Sequence, residues 1–463
     1  LRGLMLERSS RIPEALDAYR NALSHDRNSA LLHVRIGAVH LKLGQLESSL
    51  KAFQKALELE PNHPEALRWV AMLYASQGQL DLAVESYERL RESEQEDQFI
   101  LSTLADLYVL QGELDKAINL YQELILEDRY ASQLHFNLGV LYGRLGRFDE
   151  AIQRLSRAHE LAPESVDIRV ALGLTYELNG QYAKAAAHYE AAIPEDPFNQ
   201  RLYHHAARAH LDAKQYASAA TTYQLLLDLN PGDIEAMMGL IRVWMAQQRF
   251  NQAARFLARQ LSKLGNPPEL YVALGIVYRE ADQAEEAMRA FERAIAEQPD
   301  YAQAHFYLAA QLDQLGRKED ARKSLRRTLQ FDPNHPDAMN YLGYLDAEAG
   351  LNLEEAKALI ERALELDPGN GAYMDSLGWV YYKMGKLDEA LLYLENAAML
   401  LDSDPVIFDH LGDVYYKQND IEKAHRSWKR ALELDSSQTT ILEKLNWPIM
   451  DMEINGTGVA IPQ

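Results

Sequence analysis

The sequence predicts an all-α array of stacked helix pairs, and three ladders of residues carry that prediction. Glycine recurs every 34 residues at Gly44, Gly78, Gly112, Gly146 and Gly180, and Lys214, Gln248, Asp282, Gly316, Gly350, Gly385 and Asn419 continue the series. Alanine keeps the same beat at Ala83, Ala117, Ala151, Ala185, Ala219, Ala253, Ala287, Ala321, Ala356, Ala390 and Ala424. Proline keeps it at Pro61, Pro163, Pro197, Pro231, Pro299, Pro333 and Pro368, after one extra residue in the loop around Gly350.

One unit shows how each ladder acts. Over residues 132–145, His135, Leu138, Gly139 and Tyr142 share one helical face, and Gly146 ends the helix by tolerating a positive φ. Over residues 149–161, Ala151, Leu155 and Ala158 repeat that spacing until Pro163 stops the second helix. Small residues at Gly139 and Ala151 imply that the two backbones approach closely. Thirteen such units are counted. The first is cut, because Gly3 already occupies an eighth position and Ala15 the alanine position, which implies a trimmed or processed N-terminus. Later units start near Ala30, Pro64, Gln98, Ser132, Val166, Gln200, Ile234, Pro268, Ala302, Pro336, Gly371 and Pro405.

The weakest joint is "LSKLGNPPEL", residues 261–270, which reads either as a flexible boundary between two sub-arrays or as an altered turn. The organisation expected is therefore residues 1–264 and 265–438 as two sub-arrays, a capping helix within 439–448, and a loose tail over 449–463.

The recurrence of Leu138-Gly139-x-x-Tyr142, Ala151-x-x-x-Leu155 and Pro163 along nearly the whole chain resembles the tetratricopeptide repeat. That resemblance implies a right-handed α-solenoid superhelix. No single unit buries its own apolar face, so stacking builds the core and the length does not translate into ordinary domains.

Composition narrows the partners. With 47 Lys+Arg against 69 Asp+Glu, the net charge is −22, which repels phosphate backbones and anionic membrane surfaces, so nucleic acid is not an expected partner. No apolar run approaches the length of a membrane span. The absence of cysteine excludes disulfides, thiol catalysis and zinc–thiolate sites. There is no Gly-rich phosphate loop, Gly-x-Ser-x-Gly or His-Glu-x-x-His, and His204, His205 and His210 read as ordinary helix positions because adjacent helical residues point about 100° apart. Paired carboxylates such as Glu285-Glu286 and Glu354-Glu355 lie at second-helix starts, where the helix dipole favours negative charge. No catalytic residue, metal or cofactor is expected.

Function then rests on a surface. The resemblance implies that first helices line a concave groove through their second, fifth, ninth, twelfth and thirteenth residues. Those positions nominate Leu31, Val34, Phe99, Val109, Phe136, Val140, Val170, Leu174, Met238, Val272 and Phe306, interleaved with Asp106, Arg144, Arg208 and others. An apolar groove with scattered charges suits a protein or peptide partner. Chaperone-tail-binding members of the family carry a Lys and an Asn at the fifth and ninth positions of one unit; no unit here does, so that ligand is disfavoured.

The stretch "DSLGWVYYKMGKLDEA" at 375–390 returns as "DHLGDVYYKQNDIEKA" at 409–424, with the core positions kept and Trp379 exchanged for Asp413. Tyr344, Trp379, Tyr382 and Tyr416, flanked by Lys383 and Lys417, are accordingly nominated as a C-terminal binding patch with Trp379 as its anchor. The competing reading packs Trp379 against Tyr344 to stiffen the array. Residues from about 300 to 440 are also similar to large tetratricopeptide proteins of the Gram-negative envelope, some of them lipoproteins that scaffold a periplasmic carboxyl-terminal processing protease. That likeness implies a non-catalytic adaptor at the periplasm or outer membrane, with the cytoplasm as the alternative location. The second function considered is the substrate-recruiting arm of a larger enzyme such as a glycosyltransferase.

Overall fold

The computed structural model describes residues 1–93 and 98–445. Among the described residues there are 27 helices and no strand, an α-solenoid of stacked pairs. The chain divides into two compact units, Leu1–Gly239 and Leu240–Gln463, the division falling inside the helix Ile234–Ala246. The first unit runs in helix pairs from Arg2–Arg8 with Ile12–His25 to Gln200–Asp212 with Tyr216–Leu229. The second continues through Phe250–Leu264, then pairs from Pro268–Glu280 with Ala284–Glu297 to Pro405–Lys417 with Ile421–Leu434, and ends in Thr439–Lys444.

Every expected start of a first helix from Ala30 to Pro405 is where the helix begins. The glycine ladder is a row of left-handed turns. Gly146 has φ 71°, and the amide of Arg147 reaches back to the Tyr142 carbonyl at 2.9 Å, closing the first helix. The same conformation is imposed on Lys214, Gln248, Asp282 and Asn419, at φ between 57° and 65°. Ser10, with φ 58°, extends the row to the turn between Arg2–Arg8 and Ile12–His25, a member that a search for glycine misses.

The alanine ladder and the eighth-position glycines mark where the helices of a pair cross. Ala151 and Ala185 are wholly buried. A Cβ on Gly139 would lie 2.7 Å from Leu155 Cγ, and one on Gly412 only 2.3 Å from the Trp428 ring, so no side chain fits between these backbones. Trp428 and Trp244 are buried core residues, while Trp69 stacks on Phe53 with ring centres 6.0 Å apart.

Two turns depart from the repeat. In residues 261–270 the helix Phe250–Leu264 stops on left-handed Gly265 and Asn266, and Pro267-Pro268 opens the next helix. The extra residue after Gly350 is absorbed by Asn352, also left-handed. The terminal helix covers Thr439–Lys444, docked by buried Ile441; Trp447 and the tail over 449–463 lie outside the described residues.

Candidate partner-binding face

In the unit Leu1–Gly239 the first helices keep large apolar side chains in solvent. Leu31 is 53% exposed, Phe99 56%, Leu110 67% and Leu178 66%, with Met72 and Leu174 near 40%. These residues occupy second, ninth and thirteenth positions of their helices, whereas the Leu, Gly and Tyr of the core positions are packed against the second helices. Phe136, Val170 and Met238 are half-buried. Val34, nominated for the same face, is instead fully buried among Ala30, Phe53, Ala66 and Val70, because the next first helix covers it. Between the helices Gln98–Gln111 and Ser132–Arg144 the face opens into a cleft of about 300 Å³ lined by Asp106, Val109, Leu110, Phe136, Val140 and Arg144, over a floor that includes Tyr121. Tyr121 donates its hydroxyl to Asp106.

In the unit Leu240–Gln463, Phe306 is half-buried and stacks on His335 with ring centres 4.8 Å apart. Val272, also nominated for the groove, is 4% exposed and belongs to the core. The C-terminal aromatic residues do come together, as a packed stack. The Trp379 indole is 7% exposed, 4.7 Å from the Tyr382 ring and 4.0 Å from the His410 imidazole, and donates Nε1–H to Glu348 at 2.6 Å. Tyr344 leans on the same imidazole at 6.4 Å and packs against the buried cluster that contains Trp379. Lys383 lies over Trp379 and Lys417 over Tyr382, at 4.9 and 4.6 Å from the ring centres. Tyr416 is apart from this stack: it is buried against Trp428.

The stack is threaded by charge. His410 Nδ1 is 2.9 Å from Asp375 Oδ1, both side chains buried. Burial alone would push the imidazole down, but Asp375, with Asp409 and Asp413 behind it, carries it above the ordinary histidine value. Burial pushes Tyr382 up to about 12, with Asp413 and Asp409 adding to the effect. Asp413, at the position Trp379 holds one unit earlier, accepts from Trp428 Nε1 at 3.1 Å and meets Lys444 of the terminal helix at 2.7 Å. The exchange of Trp for Asp is thus a structural substitution, suited to a neighbour that is a lysine rather than a histidine.

The three histidines near 204 do not converge. His204 pairs with Asp233 at 3.0 Å, His205 stacks on Tyr189 at 5.0 Å, and His210 meets Glu190 at 2.8 Å. Among the described residues no group of three or more metal-ligating side chains gathers, and no helix is long and apolar enough to cross a membrane.

Profiles of the tetratricopeptide repeat match residues 34–97, 102–158, 136–200, 272–336, 311–371 and 342–405, and others of the same description match 210–274 and 405–437. The TPR repeat-containing protein YpiA of Bacillus subtilis (strain 168) is 25% identical over 132 residues, 28% of this chain and 31% of that protein. The TPR repeat-containing protein PA4667 of Pseudomonas aeruginosa is 44% identical over 50 residues, 11% of this chain and 8% of that protein. The matches therefore span less than a third of either relative. Among solved structures, the Cut9–Hcn1 hetero-tetramer of the APC/C gives a TM-score of 0.43 at 15% identity, covering 89% of each chain. YrrB, described as a TPR protein with an unusual peptide-binding site, gives 0.37 at 20% identity over 41% of this chain and 97% of its own.

Proposed function

This chain belongs to the tetratricopeptide repeat family, and from that premise we propose that it is a non-catalytic scaffold whose first-helix faces hold protein or peptide partners. The observation that carries the reading is the row of exposed apolar side chains at Leu31, Met72, Phe99, Leu110, Leu174 and Leu178, on positions that stacking does not require. Large apolar groups left in water along one face are the usual mark of an interaction site. Phe99, Phe136, Val170, Leu174 and Met238 serve this face in one unit. In the other, Phe306, Tyr344, Tyr382, Lys383 and Lys417 serve it, with Trp379 and Tyr416 as rigid backing. The net charge of −22 favours protein over nucleic acid as the partner.

The finer reading is an adaptor in the Gram-negative envelope, assembled with a periplasmic processing protease. Its support is the likeness of residues from about 300 to 440 to the envelope proteins of that kind. A photo-crosslinking residue placed at Phe99 or Leu174 should trap a partner in the native host, whereas one at Lys51 or Lys116, on second helices, should not. Equal trapping from both sets would refute the face; a trapped set without envelope proteins would refute the adaptor.

A further inference from the structure

Resting on the reading of the first-helix face as a docking surface, we propose that the cleft between Gln98–Gln111 and Ser132–Arg144 is a specificity site for a partner segment that places a bulky apolar side chain beside a carboxylate. The cleft combines two features. Its walls are Val109, Leu110, Phe136 and Val140, and its volume of about 300 Å³ admits one aromatic or branched aliphatic side chain. Hot spots of protein interfaces are built in this way, from an anchor desolvated in a pocket.

The second feature is charge. Arg144 lines the cleft, is exposed, and has no ion pair among the described residues. Arg35 and Arg208, on other first helices, are by contrast engaged, with Glu65 at 3.4 Å and Glu177 at 2.8 Å. A guanidinium with its fork of donors free is a receptor for a carboxylate. Asp106, the other charged residue lining the cleft, is occupied by the Tyr121 hydroxyl and is itself an acceptor, so it disfavours a second carboxylate beside it. The segment therefore has a direction, with its acid on the Arg144 side. The net charge of −22 opposes acidic ligands only at long range. Beyond about 8–10 Å, physiological salt screens that field, so the local guanidinium governs the bound state.

The test selects short random-sequence peptides on the intact chain and measures each on two variants, Val140→Trp, which fills the cleft, and Arg144→Glu, which reverses its charge. Circular dichroism melting first establishes that each variant is folded. Peptides expected from the proposal carry Phe, Leu or Trp within one helical turn of Asp or Glu, lose about tenfold or more in affinity on Val140→Trp, and on reselection against Arg144→Glu exchange the acid for Lys or Arg. Peptides that bind with no such pattern and survive both substitutions overturn the cleft while leaving the docking face standing. Should Val140→Trp not fold, the charge reversal by Arg144→Glu decides alone, since Arg144 is exposed. Failure of the intact chain to select any peptide overturns the cleft and the docking face together.

Discussion

At the residue scale the repeat is held by positions where one atom too many is costly. Ala151 is wholly buried at the crossing of its helix pair, so Ala151→Leu should lower stability by about 1–3 kcal/mol through overpacking, read in a denaturant melt. An unchanged melt would show that the pair is not tight there. The left-handed turn gives the opposite kind of change. Lys214 and Gln248 hold φ 59° and 57°, where a side chain crowds the following carbonyl, so glycine at either should stabilise the protein by about 1 kcal/mol. Glycine's extra freedom in the unfolded chain subtracts from that gain. Trp379 behaves as a core residue: its indole is 7% exposed between Tyr382 and His410, so Trp379→Ala should cost about 3–5 kcal/mol and lower the melting temperature. The sequence assigns Trp379 to the ninth position of its helix, because helical spacing fixes the direction of Cβ. It could not say whether the next helix covers that position; His410, 31 residues onward, does so.

At the element scale, helix boundaries were legible wherever a ladder residue was present, and the helix that begins at Thr439 was legible without one, while the contacts that dock it were not. Glycine, alanine and proline report backbone constraints that act within a single unit. The helix Thr439–Lys444 carries no ladder residue, and what docks it is Ile441 together with Lys444 set between Asp409 and Asp413 at 2.6 and 2.7 Å. That acidic junction contains the His410–Asp375 pair, whose pH dependence has a definite sign. With the folded value raised above the unfolded one, the pair contributes fully below the ordinary histidine value of 6.5 and its contribution falls away as pH climbs through the raised value. The melting temperature of the protein should therefore decline across that window. Asp375→Asn should flatten the decline, while a profile unaltered by Asp375→Asn would remove the pair from the account. At residues 261–270, two successive left-handed residues followed by two prolines leave a turn with few helical bonds, and trypsin at limiting dose should cut after exposed Lys263 before it cuts at regular turns such as Arg147.

At the scale of the whole molecule, repetition separates what the fold requires from what it leaves exposed. Core positions repeat because each helix pair must pack on the next, and stability accumulates from such neighbours. Leu31, Leu110, Leu174 and Leu178 are exposed and lie outside that requirement, which is why the fold was readable from the ladders while the partner was not. An isolated apolar side chain in water signifies little, but several along one face of successive helices form a surface. The most direct measurement is therefore the affinity of a crosslinked and identified partner for the double variant Phe99→Asp, Leu174→Asp. Both side chains are exposed, so the melt should stay within about 0.5 kcal/mol of the parent, while binding should weaken by about 2 kcal/mol or more, some thirtyfold in Kd. Unchanged affinity in a variant that melts normally would contradict the assignment of this face as the binding surface.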